Sequence, residues 1–154
     1  MRWIKPADKM WGGAFDGDRL LRLSSGQHRI VAERRGAPAG AIVAREVLVE
    51  GSARVDCSGL MEVKMLDGFV SAGYKVSVEV HGGKVEARTA EVMLVDGRAI
   101  GRETSVIYVA SNKAVVDAWD DTIVIINPGF RPRVNLHDRA QIVRWQPAPM
   151  AKAA

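Results

Sequence analysis

The segment VLVEGSARVDCSGLMEVKMLD, residues 47–67, decides the fold. Every second residue in it is apolar or very small: Val47, Val49, Gly51, Ala53, Val55, Cys57, Gly59, Met61, Val63 and Met65, ending at Asp67. A period of two is that of a β-strand, whose side chains alternate between its faces. The residues between are mostly polar and meet solvent, with Leu48, Leu60 and Leu66 as exceptions.

One straight strand of this length would extend about 70 Å at about 3.3 Å per residue, well beyond the usual range of roughly three to ten residues. The chain therefore bends inside the segment. Residue types recur every eight positions, as in Val47, Val55 and Val63, or Gly51, Gly59 and Asp67, and the latter set marks the corners. Two-residue hairpins would break the even count of inward positions at each turn. Here the count survives Gly51 and Gly59, which favours bends that carry the chain onward around a coil, although three-residue hairpin loops also preserve it.

The alternation returns with slips of one residue, at Val76, Val78 and Val80, at Val92 and Leu94, and at Val116, Ala118, Asp120, Thr122 and Val124. Val134, Leu136, Asp138, Ala140 and Ile142 repeat the last set, and longer excursions fall near Gly101 to Thr104 and Asn127 to Pro132. Short-period internal repetition is the mark of a solenoid, in which each coil buries its inward side chains against the next. With three arms to a coil, a turn takes about 24 residues, and residues 47–145 make about four turns spaced about 4.8 Å apart.

The expected fold is all-β: a short parallel β-solenoid over residues 46–145, an irregular N-terminal cap over 1–45 and a flexible tail over 146–154, together one domain. Trp3, Ile4, Met10, Trp11 and Phe15 are the apolar anchors of the cap, and Pro147 and Pro149 interrupt the tail. Leu21, Leu23, Ile30, Ala32 and residues 41–44 read as short strands. No helix is compelling; the best candidate, Asn112 to Trp119, also fits the strand pattern.

No apolar run reaches the roughly 20 residues that cross a bilayer, and the first residues lack the apolar core of a secretory signal, so a cytoplasmic protein is expected. The net charge of +4 is uneven: +5 over residues 1–45, −5 over 46–126 and +4 over 127–154. Basic ends around an acidic middle suit partner binding or end-to-end association.

Little of the chain has the look of catalytic equipment. Cys57 is the sole cysteine, so no internal disulfide forms, and it reads as a small core side chain. His28, His81 and His137 have no metal-ligand spacing, Asp16 and Asp18 read as an ordinary turn, and Asp120 and Asp121, which on a strand would point to opposite faces and so make no carboxylate pair, read as a corner. No glycine pattern cradles a phosphate, and Ser24 and Ser25 lack a hydrolase elbow. Neither cofactor nor metal is expected. Outward Asp56, Glu62, Glu79 and Glu86 are the residues that a lateral enzyme site would use.

The basic C-terminal segment interleaves Arg131, Arg133, Arg139 and Arg144 with Trp119, Phe130, His137 and Trp145, forming the candidate partner-binding set. Arginine with aromatics suits a protein interface, contacts to nucleic-acid phosphates and bases, or capping of the last coil.

The segments VDAWDDTIV, residues 116–124, and VNLHDRAQIV, residues 134–143, resemble the V-x-A-x-D-x-A-x-V coils of β-solenoid proteins encoded by bacteriophages. The likeness covers about two thirds of the chain; a more distant one, to the polymer-forming bactofilins, rests on the same valine and glycine spacing. The phage resemblance implies a non-enzymatic virion component, or a small protein that binds a host protein, and carries over no active-site residue. The expected function is thus a structural or interaction protein with a protein partner or itself. Nucleic-acid binding through the C-terminal patch is the alternative, and a lateral enzyme site comes third.

Overall fold

The computed structural model describes residues 20–144. Its strands, in chain order, are β1 (Leu21–Leu23), β2 (Gln27–Val31), β3 (Ile42–Val43), β4 (Glu46–Val49), β5 (Arg54–Ser58), β6 (Met61–Met65), β7 (Phe69–Ala72) and β8 (Val76–Val80). They continue as β9 (Lys84–Arg88), β10 (Glu91–Leu94), β11 (Arg98–Arg102), β12 (Val106–Val109), β13 (Val115–Ala118), β14 (Ile123–Ile126), β15 (Arg133–Leu136) and β16 (Gln141–Arg144). No helix occurs among the described residues.

From β4 onward the chain deals its strands alternately to two eight-stranded sheets, one ordered β1-β4-β6-β8-β10-β12-β14-β16 and the other β15-β13-β11-β9-β7-β5-β2-β3. Every pairing is parallel. The result is a parallel β-solenoid of about seven turns. The expected three-armed coil is thereby corrected. Val78 lies beside Val92 and Val116 beside Val134, so from β4 onward a turn takes between 14 and 18 residues and has two arms. Eight residues make one strand and one corner. Inward parity is the same whether that corner bends the chain by a third of a circle or reverses it, so the short period leaves the number of arms open.

The even steps from Val47 point inward as the alternation demands. In the first sheet Val47, Val63, Val78, Val92, Ile107 and Val124 form one continuous row, and in the second Val55, Val70, Val85, Ala99 and Val116 form another. All are buried. Identical inward types on successive turns stack at strand spacing, so each β-branched side chain packs on its own kind and burial accumulates turn by turn. The two V-x-A-x-D-like segments lie one on the other, with Val116 beside Val134 and Val124 beside Ile142.

The two edges differ in chemistry. Along one, Gly68, Gly83 and Gly97 succeed each other with positive φ, and a Cβ on Gly83 would lie 2.5 Å from the Gly68 carbonyl oxygen. Only glycine fits where a left-handed corner stacks this closely. Along the other edge Glu103, Asp120 and Asp138 hold positive φ. The Asp120 carboxylate accepts the Glu103 N–H at 2.8 Å, and that of Asp138 accepts the Asp120 N–H at 3.4 Å. The short side chains of Asp120 and Asp138 tolerate this conformation and supply the acceptor a corner lacks. Asp120 and Asp121 are turn residues, as their adjacency suggested.

The sheets begin before Val47, because β1 extends the first and β2 the second, with β3 on the outer edge of β2. Of the expected excursions, residues 127–132 form a connection, whereas Gly101 sits inside β11. The anchors Trp3 to Phe15 and the tail from residue 146 lie outside the described residues. Of the three outward leucines, Leu60 is 69% exposed and Leu66 is exposed, but Leu48 is buried.

Candidate interaction surfaces

The outward residues of the two sheets carry opposite charge. On the second sheet, Arg29, Arg54, Lys84, Arg88, Arg98, Arg102 and Arg133 face outward with only Asp56, Glu86 and Asp117 as carboxylates. On the first sheet, Arg22 and Lys64 face outward with Glu46, Glu62, Glu79 and Glu91. The division by face arises mostly within the acidic middle of the chain, which sends Arg54, Lys84, Arg88, Arg98 and Arg102 to one sheet and Glu46, Glu62, Glu79 and Glu91 to the other.

Register arranges the second face in three stripes along the solenoid axis. The first contains Arg54, Phe69, Lys84, Arg98 and Arg133, the middle one Asp56, Ser71, Glu86 and Asp117, and the third Arg88 and Arg102. Carboxylates of the middle stripe hold several of the cations. Arg98 donates from Nε to Asp117 at 3.1 Å, and Glu86 lies 3.0 Å from Arg88 Nη2 and 3.5 Å from Arg102 Nε. The hydrogen bond from Arg98, joined by one from Asn135, keeps the Asp117 carboxyl below the usual carboxylate range despite its partial burial. Phe69 has Arg54 and Lys84 over its ring at 4.8 and 5.9 Å, one from each neighbouring strand. A shallow depression of about 360 Å³ lies at this end of the face, lined by Arg29, Arg54, Phe69 and Ser71 among others.

The C-terminal candidate residues divide among three places. Trp119 and His137, each one step past a paired strand residue, stack at 3.7 Å between centroids and 10° between planes, with Arg102 5.4 Å from the indole. Arg133 is exposed on β15, in the first stripe. Arg131, Arg139 and Arg144 belong to the last turn: Arg139 pairs with Asp121 at 2.6 Å, and Arg144 Nη1 donates to the Phe130 carbonyl at 3.3 Å. Phe130 packs its half-buried ring against the core, and Arg131 takes its N–H to Asn112 Oδ1 at 2.7 Å. Trp145 lies outside the described residues. Arg54, Phe69, Lys84, Arg88, Arg98 and Arg102 were absent from the sequence-level set. A search for outward cations one coil length apart would have found them.

Among the described residues the C-terminal end has no further strand over it. β15 and β16 each have one unpaired edge, and Leu136 and Ile142, inward by register, are 43% and 39% exposed. Beside them Val143 and Ile123 face outward and are exposed.

Asp56, Glu62, Glu79 and Glu86 divide two and two between the sheets, and no two are register neighbours. Glu62 is instead the neighbour of Glu46, in a depression of about 350 Å³ that includes Arg45 and Leu60. Burial, followed by the Glu46 charge, pushes the Glu62 carboxyl up. No group of three or more potential metal ligands occurs among the described residues, and no helix there is long and apolar enough to cross a membrane. His28 contacts the Ser25 carbonyl at 2.7 Å, and His81 lies 3.2 Å from Glu79. Burial, then the charge of Asp56, pushes the Cys57 thiol up to about 12, so it sits in the core as a neutral side chain. No family model, curated protein or solved structure matched the chain, and its fold therefore stands as a parallel β-solenoid on the geometry alone.

Proposed function

We propose that this is a non-enzymatic interaction protein, a rigid solenoid that docks a protein partner through its C-terminal end. The supporting observation is the last described turn, where Leu136, Ile142, Val143 and Ile123 are exposed beside two strand edges that no other described strand pairs. Such an edge is a template for an added strand, and exposed apolar side chains beside it supply the burial that makes addition favourable. Arg131, Arg133, Arg139 and Arg144 surround this end, so meeting the same end of a second copy brings like charges together. A partner with an acidic strand-forming segment is favoured over that self-pairing. The likeness to phage coils fits a phage-encoded protein of the bacterial cytoplasm whose partner is a host protein or a virion component.

The test compares wild type with Ile142→Asp and Val143→Asp in capture from bacterial lysate, with light scattering for self-association. Loss of one wild-type partner in both variants, with far-UV circular dichroism unchanged, is the expected result. A monomer whose captured proteins are the same in all three refutes the reading.

A further inference from the structure

The striped cationic face runs along the second sheet and meets the docking end just described only at Arg133, on the last strand. Successive strands are about 4.8 Å apart, so the first stripe from Arg54 to Arg133 spans five steps and about 24 Å. Its charges stand in a fixed row, interrupted at Phe69 and Val115, because they are mounted on a sheet. A row of charges fixed at multiples of the strand spacing suits a ligand whose own charges are rigidly spaced, which a nucleic-acid backbone is and a folded protein surface is not.

The third stripe, from Arg88 to Arg102, lies four residues further along the same strands that carry Lys84 and Arg98, or about 13 Å away. The major groove of a duplex is about 12 Å wide. Two cation stripes at that separation lie along both sides of a groove, the first with cations clear of carboxylates and the third with two arginines sharing the single carboxylate of Glu86. Glu86 and Asp117, between the stripes, face the groove itself. The carboxylates thus stay clear of the phosphates and serve to hold Arg88, Arg98 and Arg102 in place.

The aromatics distinguish paired from unpaired strands. Binding to unpaired strands uses aromatic faces on which bases stack. On this face Phe69 has Arg54 on one side and Lys84 on the other, and Trp119 has Arg102 on one side and His137 on the other. Each ring already carries side chains from both neighbouring coils. A ligand whose bases already stack on each other makes no demand on them.

We infer that the outer face of the second sheet binds double-stranded nucleic acid through its phosphates, without reading sequence. Of the described cations on this face, Arg54, Lys84 and Arg133 have no carboxylate within ion-pair distance and are the ones to take phosphates directly. Three phosphates give a log K against log salt slope of about −3, and a weak complex above about 150 mM salt.

Fluorescence anisotropy with a labelled duplex of about 20 base pairs tests this between about 25 and 200 mM salt. Binding with a slope of about −3 and equal affinity for unrelated sequences is expected. Arg54→Glu with Lys84→Glu should weaken it at least about tenfold at low salt and flatten the slope, as should the milder Lys84→Gln with Arg133→Gln. Ile142→Asp should leave it unchanged, which separates this face from the C-terminal end. The inference is overturned by no anisotropy change at the lowest salt, or by an unaltered slope in folded charge variants. It is equally overturned by tighter binding to a single strand with quenched tryptophan fluorescence, or to an anionic polysaccharide than to the duplex.

Discussion

Gly83→Ala tests the stacked corner most directly. Gly83 holds φ at +83°, a conformation that costs an alanine about 1–2 kcal/mol. Its added methyl would also lie 2.5 Å from the Gly68 carbonyl oxygen and 2.8 Å from the Met65 methyl. The Met65 side chain can swing aside. The carbonyl cannot, because it accepts the Lys84 N–H at 3.0 Å, so moving it loosens the ladder between successive turns. Overpacking of this kind adds about 1–3 kcal/mol, for a total of about 2–5 kcal/mol. At about 3 °C per kcal/mol for a chain of this size, the melting temperature should fall by about 6–15 °C. Gly129→Ala is the control, since Gly129 has nearly the same φ, +86°, and nothing within 4 Å of its Cβ position. It should lose only the conformational part, about 1–2 kcal/mol. Thermal and urea unfolding followed by far-UV circular dichroism measure both variants. Equal losses would refute the close stacking of turns along this edge.

Three further outcomes follow from buried polar groups. Cys57, with its thiol pushed up to about 12, should be inert to thiol reagents at about pH 8 until the protein unfolds. Its folded value lies above the unfolded one, so the native state holds the proton longer, and stability should fall by about 1.4 kcal/mol per pH unit between about 9 and 12. Cys57→Ala should lack that decline in urea titrations; the same decline in both proteins would disprove the assignment. For Glu62 the raised carboxyl means that stability is lost as pH rises above the ordinary glutamate value, so Glu62→Gln should stabilise by about 0.2–1 kcal/mol at neutral pH and by nothing at about pH 3. A gain that persists in acid would point to packing instead of charge. Thr122 is fully buried and its hydroxyl has no hydrogen-bond partner, so the near-isosteric Thr122→Val should raise stability by about 1–3 kcal/mol; destabilisation would show that the hydroxyl is satisfied.

The architecture was legible because the inward positions obey one rule wherever they occur. Val47, Val63 and Val78 are alike since each meets the next, and a slip of one residue would turn a whole strand outward. The number of arms was not legible for the same reason. Corners at Gly51, Gly68, Gly83 and Gly97 announce that the chain bends and say nothing of the angle, which depends on how the inward side chains of two facing sheets fill the space between them. The extra residues of each later turn, such as those between β14 and β15, read as slips in the sequence because a corner admits insertions that the stacked strands do not.

The functional surfaces were less legible, and the difficulty is one of distance. Nearness along the chain groups Trp119 with Phe130 and Arg131, but in a solenoid the neighbour of an outward residue lies one coil away. Trp119 meets His137 at 18 positions and Arg102 at 17; Phe69 meets Arg54 and Lys84 at 15 in each direction. Inward positions announce this spacing by their chemical sameness. Outward positions are free to differ from coil to coil, so a stripe alternating guanidinium, phenyl and ammonium has no period of its own. Only the coil length, carried over from the core, reveals it. Since that length varies from 14 to 18 residues, the cations of the second face are aligned in space while irregular in sequence.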